Sequence, residues 1–274
     1  MPLLKARISP TPSGFLHEGN LVAFLLQKKL VQKHNALLGL RIDDIDRARY
    51  RESYLEDIFR CLAALDIKID FGPQNADDFH RNYRQELRLK RYYEILDDLK
   101  SQDLIYACSC SRKDIESHQG VGCPNNCSSA NISLDEVNVV WRLLWPGMTS
   151  VTWQDGFMGA VKVNVSEKMG DVVLRRRDGL PAYQITSLAD DHDLQIGLIV
   201  RGQDLIDSTA VQNWLSERLF GSNECYYYHH QLLLNSNGEK LSKSAGAESI
   251  PIRLDQMKID SIFQTAEELL SKLN

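Results

Sequence analysis

Residues 3–31 run LLKARISPTPSGFLHEGNLVAFLLQKKLV. Leu3 to Ile8 is a short apolar run of strand length, and it breaks into the turn-rich Pro10-Thr-Pro-Ser-Gly14. From Leu21 to Val31 the apolar residues Val22, Leu25, Leu26, Leu30 and Val31 recur at helical spacing. The unit is therefore strand, turn, helix. Gly14 and Gly19 let backbone come close to a ligand. The first turn of the helix offers unpaired N–H groups and the positive end of its dipole to an anion. His17 and Asn20 are placed to hydrogen-bond phosphate oxygens or a ribose. In isolation the same residues also read as a turn with a helix-capping Asn and an idle histidine.

Outward from this unit, residues 36–42 (ALLGLRI) read as a buried strand ending at Asp43 and Asp44. Ser53 and Glu56 have capping-box spacing ahead of Leu55, Ile58, Phe59, Leu62 and Leu65, and Tyr83, Leu87, Leu96 and Leu99 suggest another long helix. This order belongs to an α/β fold with a parallel sheet. Residues 104–135, rich in Cys, Ser, Asn and Gly, interrupt it, and 138–144 and 160–165 then alternate as strands. The α/β pattern resumes with a strand at Val172–Leu174, a helix from Pro181 to about Ala189, a strand at Ile196–Val200 and a helix marked by Val211, Trp214, Leu215 and Leu219. A turn at Asn237-Gly238 precedes Lys240-Leu-Ser-Lys243-Ser, and 255–273 reads as helical. The expected organisation is two halves of one nucleotide-binding core, 1–100 and 176–245, an insertion over 101–175 and a helical tail over 246–274.

The chain of 274 residues is 43% hydrophobic and 25% charged, as in ordinary globular proteins, with a formal net charge of -5. That balance carries no overall nucleic-acid signal, although clusters at Arg84, Arg88, Lys90, Arg91 and at Arg175, Arg176, Arg177 leave a local basic face open. No apolar run approaches the ~20 residues of a membrane helix, and the N-terminus lacks the apolar stretch of a signal peptide. A cytoplasmic protein without a membrane partner is expected. Cys108-x-Cys110-x12-Cys123-x3-Cys127 suits a closed tetrahedral zinc site, with a cluster of free thiols as the alternative. Cys61 falls on the apolar face of a helix and reads as core.

Residues 7–20 resemble the HIGH region, and 240–244 the KMSKS loop, of class I aminoacyl-tRNA synthetases. Arg41-Ile-Asp-Asp-Ile-Asp46 looks like the RIEDTD/RIEDID segment of glutamyl-tRNA synthetases. Asp178–Tyr183, Asp190-Asp191-His192, Val200-Arg201-Gly202 and Leu232–Asn235 continue the likeness in the family's order. Only residues 245–274 follow the KLSKS loop, fewer than the ~50 of a small domain, so no dedicated anticodon-binding domain is expected. The short chain and cysteine-rich insertion look most like the glutamyl-queuosine tRNA(Asp) synthetase branch, paralogues that attach glutamate to the queuosine base in the anticodon loop.

The resemblance implies a Rossmann-type parallel-sheet core with an inserted zinc-binding α+β module and a short helical C-terminal tail. It implies a monomer that uses ATP with Mg2+, glutamate and a tRNA. His17, Asn20 and Lys243 would act in catalysis, and Pro10, Gly19, Lys240 and Ser242 would bind ATP. Arg7, Ser9, Asp43, Tyr183 and Arg201 would bind glutamate, the arginines through its carboxylates, Tyr183 by a hydrogen bond and Asp43 through its ammonium. The four cysteines would hold a structural zinc. Lysines on the KLSKS loop suit the charge that grows on a leaving pyrophosphate. Three departures stand out. Gln184 replaces a commonly found Asn. Asp43 occupies a position where the family usually has glutamate, which draws the carboxylate back by roughly 1.5 Å. Cys123 lies one residue from where the short paralogues carry a tyrosine ligand. Two other readings remain: a ligase with another acceptor (a tRNA 3′ end, a protein or a small molecule), and a non-catalytic tRNA-binding paralogue.

Overall fold

The computed structural model describes residues 3–117, 122–221, 225–233 and 251–273. Strand β1 (Lys5–Ile8) buries Ala6 and Ile8 on one face and turns Arg7 to the other, as the two-residue period of a strand requires. Helix α1 (Glu18–Lys33) covers the apolar face. After it come β2 (Leu37–Leu40), α2 (Glu52–Ala64), a single helical turn α3 (Ala76–Asp78) and α4 (Leu89–Ser101). The inserted stretch holds β3 (Ile105–Cys108), α5 (Arg112–Ser117), β4 (Val140–Leu143), β5 (Ser150–Asp155), β6 (Gly159–Asn164), the short α6 (Val165–Lys168) and β7 (Val173–Arg175). The second half of the core supplies α7 (Tyr183–Asp193), β8 (Leu198–Gly202), α8 (Ile206–Phe220) and β9 (Tyr226–His230), and α9 (Gln256–Leu270) closes the described chain.

The main sheet has the order β2-β1-β8-β9-β5-β6, parallel throughout except for the β5–β6 hairpin. On one face α1, α2 and α9 share a core with Ala6, Ile8, Leu38, Leu40, Leu198 and Val200. On the other face, α4, α7 and α8 pack together with residues of the insertion. A second, antiparallel sheet of order β3-β4-β7 carries Cys108 at the end of β3, and Cys110, Cys123 and Cys127 follow in the connection to β4. The inserted stretch is thus divided: its outer strands make their own sheet, while the β5–β6 hairpin extends the main one beside β9.

Two local expectations differ from the structure. Helix α2 starts at Glu52 with Arg51 as its N-cap, so Ser53 lies inside the first turn and caps nothing. The helix expected around Tyr83–Leu99 is broken. A π-helical turn spans Phe79–Tyr83, Arg84 is extended, and a 3-10 turn spans Gln85–Arg88 before α4 begins. The break lets Gln85 bridge the core. Its N–H donates to Asp44 Oδ1 at 2.8 Å and its side-chain amide to Asp190 Oδ2 at 3.0 Å. Among the described residues no helix is long and apolar enough to cross a membrane.

Candidate active site

A cavity of about 440 Å3 opens at the C-terminal ends of β1 and β8, where ligands sit in open α/β sheets. Of the residues expected at a nucleotide and amino-acid site, Arg7, Ser9, Pro10, His17, Gly19, Asn20 and Arg201 all line it. His17 is the N-cap of α1. Its side chain accepts from the Asn20 backbone N–H, and Asn20 Oδ1 accepts from the His17 N–H at 3.1 Å. This is a capping box, so the helix-capping role and a place on the cavity wall coexist. Gly19 lies within the first turn of α1 at a negative φ, so what it contributes there is the lack of a side chain. The loop before the helix is fixed from α2: buried Asp57 accepts from the Leu16 N–H at 2.9 Å and is itself held by Arg60 at 2.6 Å.

Beside the cavity lies a buried cluster of charges. Arg7 and Arg201 fall on the same face of the sheet, on neighbouring strands. Arg7 donates to both oxygens of Asp191 at 2.9 Å. Arg41 donates to Asp191 at 2.6 Å, to the Ser187 hydroxyl at 3.1 Å, and through two nitrogens to Asp43 at 2.7 and 3.0 Å. Arg201 Nη1 donates to Gln212 Oε1 at 2.9 Å and to Thr209 Oγ1 at 3.3 Å. Among the described residues Arg201 Nη2 is buried without a hydrogen bond, and Asp191 Oδ2 lies 4.0 Å from it. The neighbouring Asp190 is occupied by Arg88 and Tyr92. Among the described residues three guanidinium groups therefore share two carboxylates, an excess of one positive charge in a buried setting.

The two carboxylates respond differently. Burial pushes both upward. At Asp191 the pull of Arg41 and Arg7 wins and holds the group below the usual carboxylate range. At Asp43 burial wins over Arg41 and raises it. Asp43 is not on the cavity wall, and both its oxygens are engaged by Arg41. Tyr183 opens α7, is 37% exposed and stands off the cavity wall too. Lys240, Ser242 and Lys243 lie outside the described residues.

The cysteines converge as their spacing suggests. The sulfurs of Cys108, Cys110, Cys123 and Cys127 lie within 4.8 Å of one another, with Cys108–Cys123 at 3.6 Å, Cys110–Cys123 at 3.5 Å and Cys110–Cys127 at 3.7 Å. Ligands on a tetrahedron with Zn–S of ~2.3 Å stand about 3.8 Å apart, so the donor set fits zinc. Arg177 donates to the backbone oxygens of Ser109, Cys110 and Asn138 and ties the site to the strand after it. Burial opposes ionisation of Cys123, but hydrogen bonds from the Cys127 N–H and thiol and from the Asn125 N–H lower it to about 7. At Cys110, burial and the neighbouring thiols push the group up to about 12. Cys61 is fully buried in the core under α1 and α2.

The catalytic domain of tRNA synthetases class I (E and Q) matches residues 3–258. The chain belongs to this family. Similar proteins include the glutamyl-Q tRNA(Asp) synthetase of Cupriavidus metallidurans, 36% identical over 256 residues that cover 90% of this chain and 79% of that protein. The glutamyl-Q tRNA(Asp) synthetase of Pseudomonas syringae pv. syringae is 35% identical over 250 residues, covering 91% and 80%. Among solved structures, the glutamate-tRNA synthetase from Elizabethkingia anophelis superposes with a TM-score of 0.75 at 24% identity over 88% of this chain. The present chain spans 53% of that enzyme, about half its length, and the likeness is one of fold.

In this class I synthetase, several residues that build the site carry no motif-level signal. Asp57 falls among apolar neighbours on α2, and a lone acid on an apolar helix face is the only trace of its role. Arg41 and Asp191 lie inside segments that resemble the family, but their mutual pairing is visible only in space. Thr209, Gln212, His229 and Asp155 come from distant parts of the chain and meet behind Arg201.

Proposed function

We propose that this synthetase condenses glutamate with ATP to glutamyl-adenylate, releasing pyrophosphate, and then passes the glutamyl group to the queuosine base of tRNA(Asp). The observation that carries the first step is the excess positive charge beside the cavity, with buried Arg201 Nη2 given no hydrogen bond among the described residues. A substrate carboxylate is the group that balances such a charge, and a guanidinium is suited to hold it by two contacts. The relatives named glutamyl-Q tRNA(Asp) synthetase support glutamate as substrate and tRNA(Asp) as acceptor.

In this reading Arg7 and Arg201 take the carboxylates of glutamate, and Ser9 and Tyr183 add hydrogen bonds. A carboxylate has about four acceptor sites, and Arg41 occupies two on Asp43, leaving capacity for the substrate ammonium. Pro10, Gly19, His17 and Asn20 form the nucleotide side, where the free N–H groups of α1 face the phosphates and Mg2+ accompanies them. Lys240, Ser242 and Lys243 stabilise the departing pyrophosphate. Zinc on the four cysteines is structural, since four thiolates leave no open position. The enzyme works as a monomer in the cytoplasm.

ATP–pyrophosphate exchange across the twenty amino acids tests the reading. Exchange dependent on glutamate, and lost in Arg201→Ala, is expected. Faster exchange with aspartate or glutamine than with glutamate would remove glutamate as the substrate.

A further inference from the structure

Behind Arg201 runs a chain of buried hydrogen bonds that reaches the far end of the sheet. Arg201 Nη1 meets Thr209 Oγ1 at 3.3 Å, and Thr209 Oγ1 meets His229 Nε2 at 2.8 Å. His229 Nδ1 meets Asp155 Oδ2 at 2.6 Å. Thr209 and His229 are fully buried and Asp155 is 2% exposed. Asp155 Oδ1 in turn accepts from the N–H groups of Phe157 and Met158 at 3.0 and 3.1 Å, and both its oxygens lie 3.2 Å from the His229 N–H. The carboxylate is therefore fixed by the turn of its own hairpin and by β9.

We infer that Asp155, His229 and Thr209 form a positioning chain that aims Arg201 at the substrate carboxylate. The inference rests on the assignment of Arg201 as a carboxylate ligand. Thr209 Oγ1 also lies 3.0 Å from the Leu205 carbonyl of its own helix, so its one hydroxyl proton goes to Leu205 or to His229 Nε2. In either case a lone pair of Thr209 Oγ1 faces Arg201 Nη1. Gln212 Oε1 takes the same Nη1 from the next turn of α8. With Nη1 committed to two acceptors on α8, the planar guanidinium has one orientation, and Nη2 is the nitrogen left over. The arrangement also gives the β5–β6 hairpin a purpose. Asp155 ends β5, and the hairpin's parallel pairing with β9 at Tyr227 brings it to His229. A site on β8 is thereby set by a hairpin two strands away in the sheet.

The chain is a positioning device, so its loss should weaken glutamate selectively. Thr209→Val keeps the shape and removes the hydroxyl, whereas Thr209→Ser restores it. In ATP–pyrophosphate exchange, Thr209→Val is expected to raise the KM for glutamate roughly tenfold or more, the range for a lost hydrogen bond to a charged group. The KM for ATP should stay within about twofold, and Thr209→Ser should return both near wild type. Gln212→Met, which deletes the second acceptor, should give the same selective rise, and it carries the test alone if Thr209→Val does not fold. Folded variants with both KM values unchanged, or with the two raised together, would overturn the inference. A wild-type protein without glutamate-dependent exchange would instead refute the functional reading on which it stands.

Discussion

At Asp191 one carboxylate serves two guanidinium groups, and its ionisation is what keeps Arg7 and Arg41 in place. Removing one partner of a buried ion pair leaves uncompensated charge and costs about 3–5 kcal/mol. Asp191→Asn should therefore lower stability by about that amount at pH 7 in urea unfolding. The pH dependence has a fixed sign. Burial raises the group, but Arg41 and Arg7 pull it below its ordinary value. Its contribution is thus complete above the unfolded value near ~3.9 and is lost as pH falls through the lower folded value. The gap between wild type and Asp191→Asn should persist down to about pH 4 and close below it. A gap that stays constant through the acid range would show that the charge contributes nothing. Asp43 tests a different point. Asp43→Ala leaves Arg41 with one carboxylate fewer and the substrate ammonium with none, so glutamate-dependent exchange should become undetectable. Asp43→Glu should retain it. Normal exchange in Asp43→Ala would show that the ammonium is bound elsewhere.

Among the elements, the insertion is the one that the proposed zinc would stabilise. Three-stranded β3-β4-β7 has a small apolar core of its own around Tyr106, Cys108, Cys110 and Cys127. The binding energy of a metal there would be folding energy. Freshly purified protein should contain about one zinc per chain by elemental analysis, and Cys108→Ser or Cys127→Ser should lower both metal content and the stability of the insertion. Native protein free of metal would remove the zinc. Helix α9 makes a contrasting case, since apolar packing holds it. Ile262, Ala266 and Leu269 bury against α1, and Lys258 pairs with Glu18 and Lys29 with Glu267. Arg60 of α2 also donates to the Ile252 carbonyl at 3.1 Å. Ile262→Ala should cost about 2–5 kcal/mol in urea unfolding; a loss well under that range would mean α9 is only loosely applied.

These elements differ in how plainly the sequence announced them. Helices α1 and α8 follow from apolar residues at 3.6-residue spacing, and α7 from Pro181 just ahead of it. The break at Arg84 does not, because it is imposed by Gln85 reaching Asp44 and Asp190, residues remote in sequence. Likewise His17, Asn20, Arg7 and Arg201 are legible as a motif series and meet on one cavity wall. The pairing of Arg41 with Asp191, and the chain behind Arg201, are tertiary facts that no local pattern encodes.

For the whole molecule, the question is where the activated glutamyl group goes. The sheet places a carboxylate-ready charge cluster and a helix N-terminus around one cavity, an arrangement suited to making an adenylate. Neither feature selects an acceptor. The net charge of -5 gives no broad attraction for RNA, so recognition must come from local basic residues and from shape. The proposed acceptor lies in the anticodon loop, which makes the tRNA 3′ end dispensable. Transfer of labelled glutamate to tRNA(Asp) lacking its 3′-terminal adenosine tests this directly. Label is expected to accumulate on this truncated tRNA when it carries queuosine, and not when it carries unmodified guanosine. Labelling that requires the terminal adenosine, or that proceeds equally without queuosine, would contradict it.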